Sequence, residues 1–493
     1  MLAQVSQQSN RIFMAGGYGQ DFLQGKCGKT HPTSSIECKE PNVRPGELKT
    51  LVRLMLPMMG TQLCIMGMGF VDTAMSGHYS SVDLAGVALG GVVLWPLFML
   101  FAGVLMAVTP IVAQHDGANE PHLSGPVVQQ ALLLAAILGI VLASAVTQAH
   151  RLFALFEIDP EAVDVARRYL QGAAWGLPAV LLYVTIRYTF EGLGHTTIPL
   201  VIASIALVVN AILNYLLIYG VGGLPELGGE GCGWATALTM WFELVLVLPF
   251  LSRPWLRRIR LREGFRGFDL RETYRIISIG LPIGLTHLLE MMVFSVISLL
   301  VGALGVVAIA ANSVAGNLNW FTFVFPMALG SAASIRVGNY VGAGDYAGAR
   351  AVAKLAIQLA LGYAVLASLI LLIGRNLLPL IYTQDQAVVV LTAQVLIVVA
   401  AYQLFDCLQA AIIGALRGYK DTQFPMWLSI SAYWLVALPV GYVLGRGIVG
   451  FDLGLPGFFV GLGAGLLVVA LVAAWRLNRV SRSEVMIKQL SEY

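Results

Sequence analysis

The chain has 493 residues, 58% of them hydrophobic and only 12% charged, with a net charge of +3 and a mean hydropathy of +0.78. An average soluble domain is about 25% charged, so a soluble globular fold of this length is excluded, and the small net charge does not point to a nucleic-acid partner. What remains is an all-α polytopic membrane protein whose surroundings are the lipid bilayer.

Residues 1–47 are polar and mixed, with no apolar run of the signal-peptide kind, and read as a disordered cytoplasmic tail. Beyond them, twelve apolar stretches each reach the ~20 residues that a helical span needs. They cover 51–76, 84–113, 127–148, 162–188, 197–219, 231–252, 276–301, 308–335, 350–373, 386–416, 424–445 and 455–475. Three run long (84–113, 308–335 and 386–416), so tilt or kinks are expected, with Pro96, Pro110 and Pro326 as kink points. With both termini inside, the inner segments carry 25 of the 30 Lys and Arg residues, and the outer ones only Arg151, Arg167, Arg168, Arg375 and Arg446. That bias satisfies the positive-inside rule and supports an even number of spans. The basic stretch 253–275 divides the chain near its middle, and an inner loop beside anionic lipid accounts for its charge. Five cysteines without a CxxC spacing argue against a disulfide framework or a zinc site.

The chain repeats itself. At an offset of 225, Leu56-Pro57 falls on Leu281-Pro282, Thr61 on Thr286, Gly91 on Gly316, Trp95 on Trp320, Phe98 on Phe323 and Gly117-Ala118 on Gly342-Ala343. At 226, Gly192 falls on Gly418, Thr196 on Thr422 and Pro199 on Pro425. Two six-span units in tandem cross the membrane in the same sense, so their pseudo-twofold axis runs along the membrane normal. The expected organisation is a tail over 1–47, an N-terminal six-helix lobe over 48–252, a basic linker over 253–275, a C-terminal lobe over 276–476 and a cytoplasmic tail over 477–493. A duplicated single chain without a filter motif suits alternating access better than a channel, and a monomer is expected.

Four acids fall inside spans: Asp72, Glu243, Glu290 and Asp406. An ionised carboxylate at mid-membrane costs about 2.5–3.5 kcal/mol on insertion scales, so three or four facing lipid would cost roughly 8–14 kcal/mol. They must face a polar cavity, carry protons or hold a cation. Tyr402 precedes Asp406 by one turn, and His287 and Glu290 share a face of the seventh span. Asn210 and Asn214 form an i,i+4 pair on the fifth, and Asn317 adds a polar group to the eighth near Trp320. Asparagines in spans more often serve as interhelical glue than as ligands, and His287 is either a proton relay or a donor to a carbonyl. The acids are different, because an intramembrane carboxylate is functional by default. Acids among apolar and aromatic walls are what lipophilic cations need.

The runs GMGFVDTAMSG, PIVAQHDGA, FPMALGSAASIRVGNYVGAGD and AYQLFDCLQAAIIGALRGYKDT resemble the NorM branch of the multidrug and toxic compound extrusion (MATE) transporters, and the resemblance extends from about Leu51 to Leu477. It implies a V-shaped pair of six-helix bundles in a bacterial inner membrane, exporting small organic cations in exchange for Na⁺ or H⁺ and needing no other cofactor. By resemblance, Glu290 and Asp406 match the acids of the coupling-cation site, where Na⁺ could bind, and Tyr402 its companion tyrosine. Asp72 matches the acid of the first helix, implicated in coupling and substrate binding, Asn210 and Asn214 sit where the branch keeps polar residues on the fifth helix, and Asp385 matches an acid of the outer mouth. Glu243 departs from the pattern, as does the length of the tail.

Two other classes compete. A flippase for a lipid-linked precursor shares the two-lobed plan but would line its cavity with cations, and here no basic residue is expected at depth. A membrane-embedded enzyme finds no support in an HExxH, GxSxG or P-loop motif, and no ATPase domain is present.

Overall fold

The computed structural model describes residues 46–155, 159–261, 267–448, 450 and 453–492; residues 1–45 of the polar tail and 262–266 of the basic stretch lie outside the described residues. Every regular element described is helical. In the first half these are α1 (Glu47–Tyr79), α2 (Ser81–Leu105), α3 (Val108–Gly117), α4 (Ser124–Gln148), α5 (Pro160–Ala174), α6 (Leu177–Gly192), α7 (Thr197–Ile218) and α8 (Gly229–Val247). A short α9 (Pro254–Arg257) lies in the basic stretch. The second half holds α10 (Leu270–Gly302), α11 (Val306–Gly342), α12 (Tyr346–Gly374), α13 (Gln386–Gly418), α14 (Gln423–Ser431), α15 (Leu438–Gly445), α16 (Leu455–Arg482) and α17 (Glu484–Glu492). Among the described residues eleven helical stretches are long and apolar enough to cross a membrane, and α5 with α6, bent by 51°, makes the twelfth. All twelve expected spans are therefore present.

The helix starts are written in the sequence. Ser80, Asp159, Asp269, Asp345 and Asp385 each accept a backbone N–H of the first turn of α2, α5, α10, α12 and α13, which satisfies donors that a helix cannot satisfy itself. The Asp269 cap starts α10 at Leu270, ahead of the apolar run, because capping rather than hydropathy sets that end.

The breaks follow proline chemistry, at partly unexpected places. A proline has no N–H for the carbonyl four residues earlier. Pro110 thus leaves Met106 without its helical donor, and the second span breaks there into α2 and α3. Pro178 does the same to Ala174, the last residue of α5. Pro439 deprives Leu435, inside a π-helical stretch from Ala432 to Ala437. Pro96 and Pro326, expected as kink points, lie inside α2 and α11 with no break in either helix.

The duplication is visible in the packing. A Cβ on Gly117 would fall on the Asn339 carbonyl oxygen, and one on Gly342 on that of Gln114. These four positions are two pairs 225 apart, so the ends of α3 and α11 cross through one symmetric contact. Gly192 packs on Thr109 and Val112, and Gly418 on Ser334 and Val337, the same contact repeated within each lobe. Small residues permit such close crossings, the main source of helix association in lipid.

The lobes meet at one end. Gln114 Nε2 donates to the Gly418 carbonyl (2.9 Å) and Asn339 Nδ2 to that of Ala113 (2.8 Å). Arg336 donates through Nη2 (2.7 Å) and Nε (3.3 Å) to the Glu47 carboxylate, which Tyr340 also reaches. Leu51, Leu54, Met55 and Met58 of α1 sink into the core of the C-terminal lobe at this same end. Towards the opposite end, the repeat-related pairs Trp95–Phe98 and Trp320–Phe323 lie one on each lobe. We call the end that carries Glu47 and Gly418 the inner end.

Candidate functional site

Each lobe buries its own carboxylate cluster, and the two are built differently. In the N-terminal lobe Asp72 of α1 is only 6% exposed. Its Oδ1 accepts from Asn214 Nδ2 at 2.7 Å and Asn210 Nδ2 at 3.2 Å, and its Oδ2 from Thr236 Oγ1 at 3.3 Å. The i,i+4 spacing on α7 aims both amides at one oxygen. Asn210 and Asn214 share a face as their i,i+4 spacing suggested, and the structure brings Asp72 and Thr236 of α8 to them. The two asparagine carbonyl oxygens are buried without a partner, leaving the cluster rich in acceptors. No cationic side chain bonds Asp72 among the described residues.

In the C-terminal lobe Glu290 of α10 faces α13 and the α14–α15 span. Tyr433 Oη donates to Glu290 Oε1 at 3.0 Å and itself receives Gln409 Nε2 at 2.9 Å. Asp406 is 6% exposed and within electrostatic reach of Glu290. Tyr402 lies one turn before it on α13, buried, with Gly463 of α16 packed against its ring. The structure therefore groups Glu290, Asp406 and Tyr402 and adds Tyr433 and Gln409. Tyr433 lies in the π-helical stretch before Pro439, whose wider turns change where its side chain points. Pro439 inside a predicted span was the signal that could have found it.

Other candidates lie elsewhere. His287 is one turn before Glu290 and near Arg417. Asn317 is exposed on α11 and bonds none of the acids among the described residues. Asp385 is exposed and caps α13 by accepting from Ala387 N at 2.9 Å. Its repeat partner at offset 226, Asp159, caps α5 in the same way, so the cap accounts for an acid at that position. Glu243 is buried inside the N-terminal lobe, not on a peripheral face.

The expectation that no basic residue lies at depth is corrected. Arg187 of α6, largely enclosed, forms an ion pair with the buried Glu191 (2.7 Å). Arg417, in the last turn of α13, reaches across the lobes to Met106 Sδ at 3.4 Å and stands near Glu290. Hydropathy places a span end where the apolar run stops, whereas a long side chain on the last turn can still lie inside the seam.

No group of three or more His, Cys, Asp or Glu side chains is arranged to hold a metal ion among the described residues. Glu290 and Asp406 are a pair of carboxylates with two tyrosine hydroxyls nearby, an oxygen set that suits a hard monovalent cation or a shared proton. An apolar groove of about 570 Å³ between α1 and α7, lined by Phe70, Val71, Leu207, Val208, Ile212 and Tyr215 among others, includes none of these acids.

Comparison with known proteins agrees with the duplication. The family model described as MatE matches twice, over residues 57–216 and 282–443, and the two matches begin 225 residues apart. The chain is 38% identical to the multidrug resistance protein PmpM of Pseudomonas aeruginosa over 440 residues, covering 88% of this chain and 92% of that protein. It is 35% identical to the multidrug resistance protein NorM of Aliivibrio fischeri, covering 89% and 95%. Among solved structures, the Vibrio cholerae MATE transporter VcmN in its bent form superposes with a TM-score of 0.79 at 17% identity, over 90% of this chain and 98% of that one. The eukaryotic MATE transporter AtDTX14 does so with a TM-score of 0.80 at 18% identity, over 90% and 99%.

Proposed function

The chain belongs to the MATE family, and from that premise we propose that it is a cation-coupled multidrug efflux antiporter that exports organic cations by alternating access. The observation that carries this reading is a carboxylate in each lobe bonded only by neutral donors: buried Asp72 by two asparagines and a threonine, half-buried Glu290 by a tyrosine. A carboxylate without a bonded cation in a low-dielectric interior attracts either a substrate cation or a coupling ion. The curated relatives named above are called multidrug resistance proteins, which favours xenobiotic cations as substrate.

The proposed cycle uses competition. With the inner end closed, the coupling ion, H⁺ or Na⁺, reaches Glu290 and Asp406 from outside and lowers the negative charge that holds the drug. Drug leaves outward, and return to the inward-open state carries the ion across. Such coupling requires that ion and drug prefer different conformations. Asp72, Asn210 and Asn214 serve the same exchange in the other lobe, with Tyr402 supporting Asp406. The protein is placed in a bacterial inner membrane as a monomer, both termini cytoplasmic, so that the inner end defined above faces the cytoplasm.

Efflux of ethidium from proteoliposomes, driven separately by a Na⁺ and by a pH gradient, tests the reading. Efflux should follow one gradient and fall at least tenfold in Asp406→Asn. Normal efflux by that variant removes Asp406 from the site. No efflux by the parent under either gradient turns attention to a lipid-linked substrate.

A further inference from the structure

Glu243 of α8 is 6% exposed, deep in the N-terminal lobe, and forms no hydrogen bond or ion pair among the described residues. It lies within electrostatic reach of Tyr183 and Arg187, both on α6. The Tyr183 hydroxyl is itself buried without any partner, on a residue only 3% exposed. Arg187 is engaged one turn further on, with Glu191. The Tyr183 hydroxyl, buried without a partner beside a carboxyl that has no hydrogen bond among the described residues and next to an ion pair, makes a site rather than a packing accident, because a buried polar atom left unbonded is costly.

This site is connected to the Asp72 cluster. Residues 232, 236, 239 and 243 form one stripe along α8. Thr236 reaches Asp72 through its hydroxyl, Thr239 follows, and Glu243 is about 10 Å further towards the inner end at 1.5 Å per residue. Thr239 donates to its own helix backbone at Ala235, so its oxygen remains able to accept, and the single hydroxyl proton of Thr236 goes either to Asp72 or to the Cys232 carbonyl. The other elements packed on α8 add few charges. From α6 come Tyr183, Tyr188, Arg187 and Glu191, with Arg417 of α13 near Tyr188. Asp72 comes from α1 and Tyr169, beside Asp72, from α5. Neither α2 nor α7 bears a charged group at this depth, since Asp83 and Tyr215 lie at their outer ends.

We propose that Glu243 is a second proton-binding carboxyl of the N-terminal lobe, lying between the Asp72 cluster and the inner end, through which a proton taken up at Asp72 is released inward. In the outward-open form the carboxyl is protonated, since an ionised one here would have no hydrogen bond to hold its charge. Release transfers the proton from Glu243 to inner water, and Arg187 then exchanges Glu191 for the new carboxylate. The presence of a proton on Glu243 stands on the geometry alone, whereas its place in the transport cycle rests on the proton-coupled form of the function proposed above.

The test uses the full chain in lipid nanodiscs and in proteoliposomes. Infrared spectroscopy of the parent should show a protonated-carboxyl carbonyl band that Glu243→Gln loses and Glu243→Asp shifts without abolishing. Ethidium efflux driven by a pH gradient should fall at least tenfold in Glu243→Gln and recover in part in Glu243→Asp. Identical carboxyl bands in the parent and both variants overturn the site. A lost band with unchanged efflux overturns the route. A parent driven by Na⁺ alone means that the proton-coupled reading has failed; the infrared comparison then still decides whether Glu243 holds a proton.

Discussion

Tyr433 shows how much one hydroxyl can carry. It donates to Glu290 and accepts from Gln409, so it ties α10 to α13 through a residue of the irregular span between α14 and α15. Tyr433→Phe keeps the ring and removes both bonds. A hydrogen bond to a charged group is worth about 1.5–3 kcal/mol, so the coupling-ion concentration for half-maximal efflux should rise roughly 10- to 100-fold. An unchanged dependence would take Tyr433 out of the site. A second residue-scale consequence concerns Lys420, in the turn between α13 and α14. Burial, with Arg275 adding to it against Glu272, pushes its ammonium down to about 7 from an ordinary 10.5. Between those two values the unfolded chain holds a proton there that the native protein has lost, so stability rises with pH across that window, by up to about 1.4 kcal/mol per pH unit. Below pH 7 both states are protonated and the full burial cost of the charge remains. Lys420→Met should remove this rise, seen as a flatter thermal-unfolding midpoint from pH 7 to 9. Parallel pH profiles for parent and variant would refute it.

At the scale of elements, the two seams between the lobes differ although the repeat relates them. Where α2 crosses α10, Gly103 lies on Gly284, and a Cβ on Gly280 would collide with the Val104 carbonyl. The equivalent positions where α1 crosses α11 are Ala328, Met59 and Met55. One seam therefore brings backbones together, and the other is filled with flexible thioether side chains that can repack. Gly280→Ala should cost about 1–3 kcal/mol by overpacking and lower the thermal midpoint. Gly69→Ala, on α1 with open space around its Cα, should be neutral or gain about 0.5–1 kcal/mol from the lower entropy of alanine in a helix. If both variants behave alike, the seam is not the close crossing described.

For the whole molecule, the bonds between the lobes gather at the inner end. Glu47, Arg336 and Tyr340 join the first helix of one lobe to α11 of the other, and the pair is mostly buried. In the alternating-access cycle proposed above, an inward-open state has to break it. Removing one partner of a buried pair costs about 3 kcal/mol at the low end, enough to shift a closed-to-open ratio roughly a hundredfold. Spin labels at Glu120 and Ala347, exposed on the two lobes at this end, should report a longer separation in Glu47→Gln than in the parent. Equal distance distributions would mean that the ion pair does not hold the closure.

Membrane class, span number and duplication were legible in the residues themselves. Lipid demands long apolar helices, and a tandem repeat leaves a constant offset. Asp72 with Asn210 and Asn214, and Glu290 with Asp406 and Tyr402, were legible as intramembrane polar groups, because each acid in a span needs a polar neighbour. Thr236, Tyr433, the burial of Glu243 and the inward reach of Arg417 were not, since they depend on which helix faces which. The repeat preserves glycines and prolines, but not the acids: the positions equivalent to Asp72, Glu290 and Asp406 are Ile297, Ile65 and Val180. Backbone packing is shared by both lobes, so sequence periodicity determined it. The polar clusters arise where α1, α7 and α8, or α10, α13 and the irregular span before α15, converge, and only three-dimensional packing brings their side chains within bonding distance.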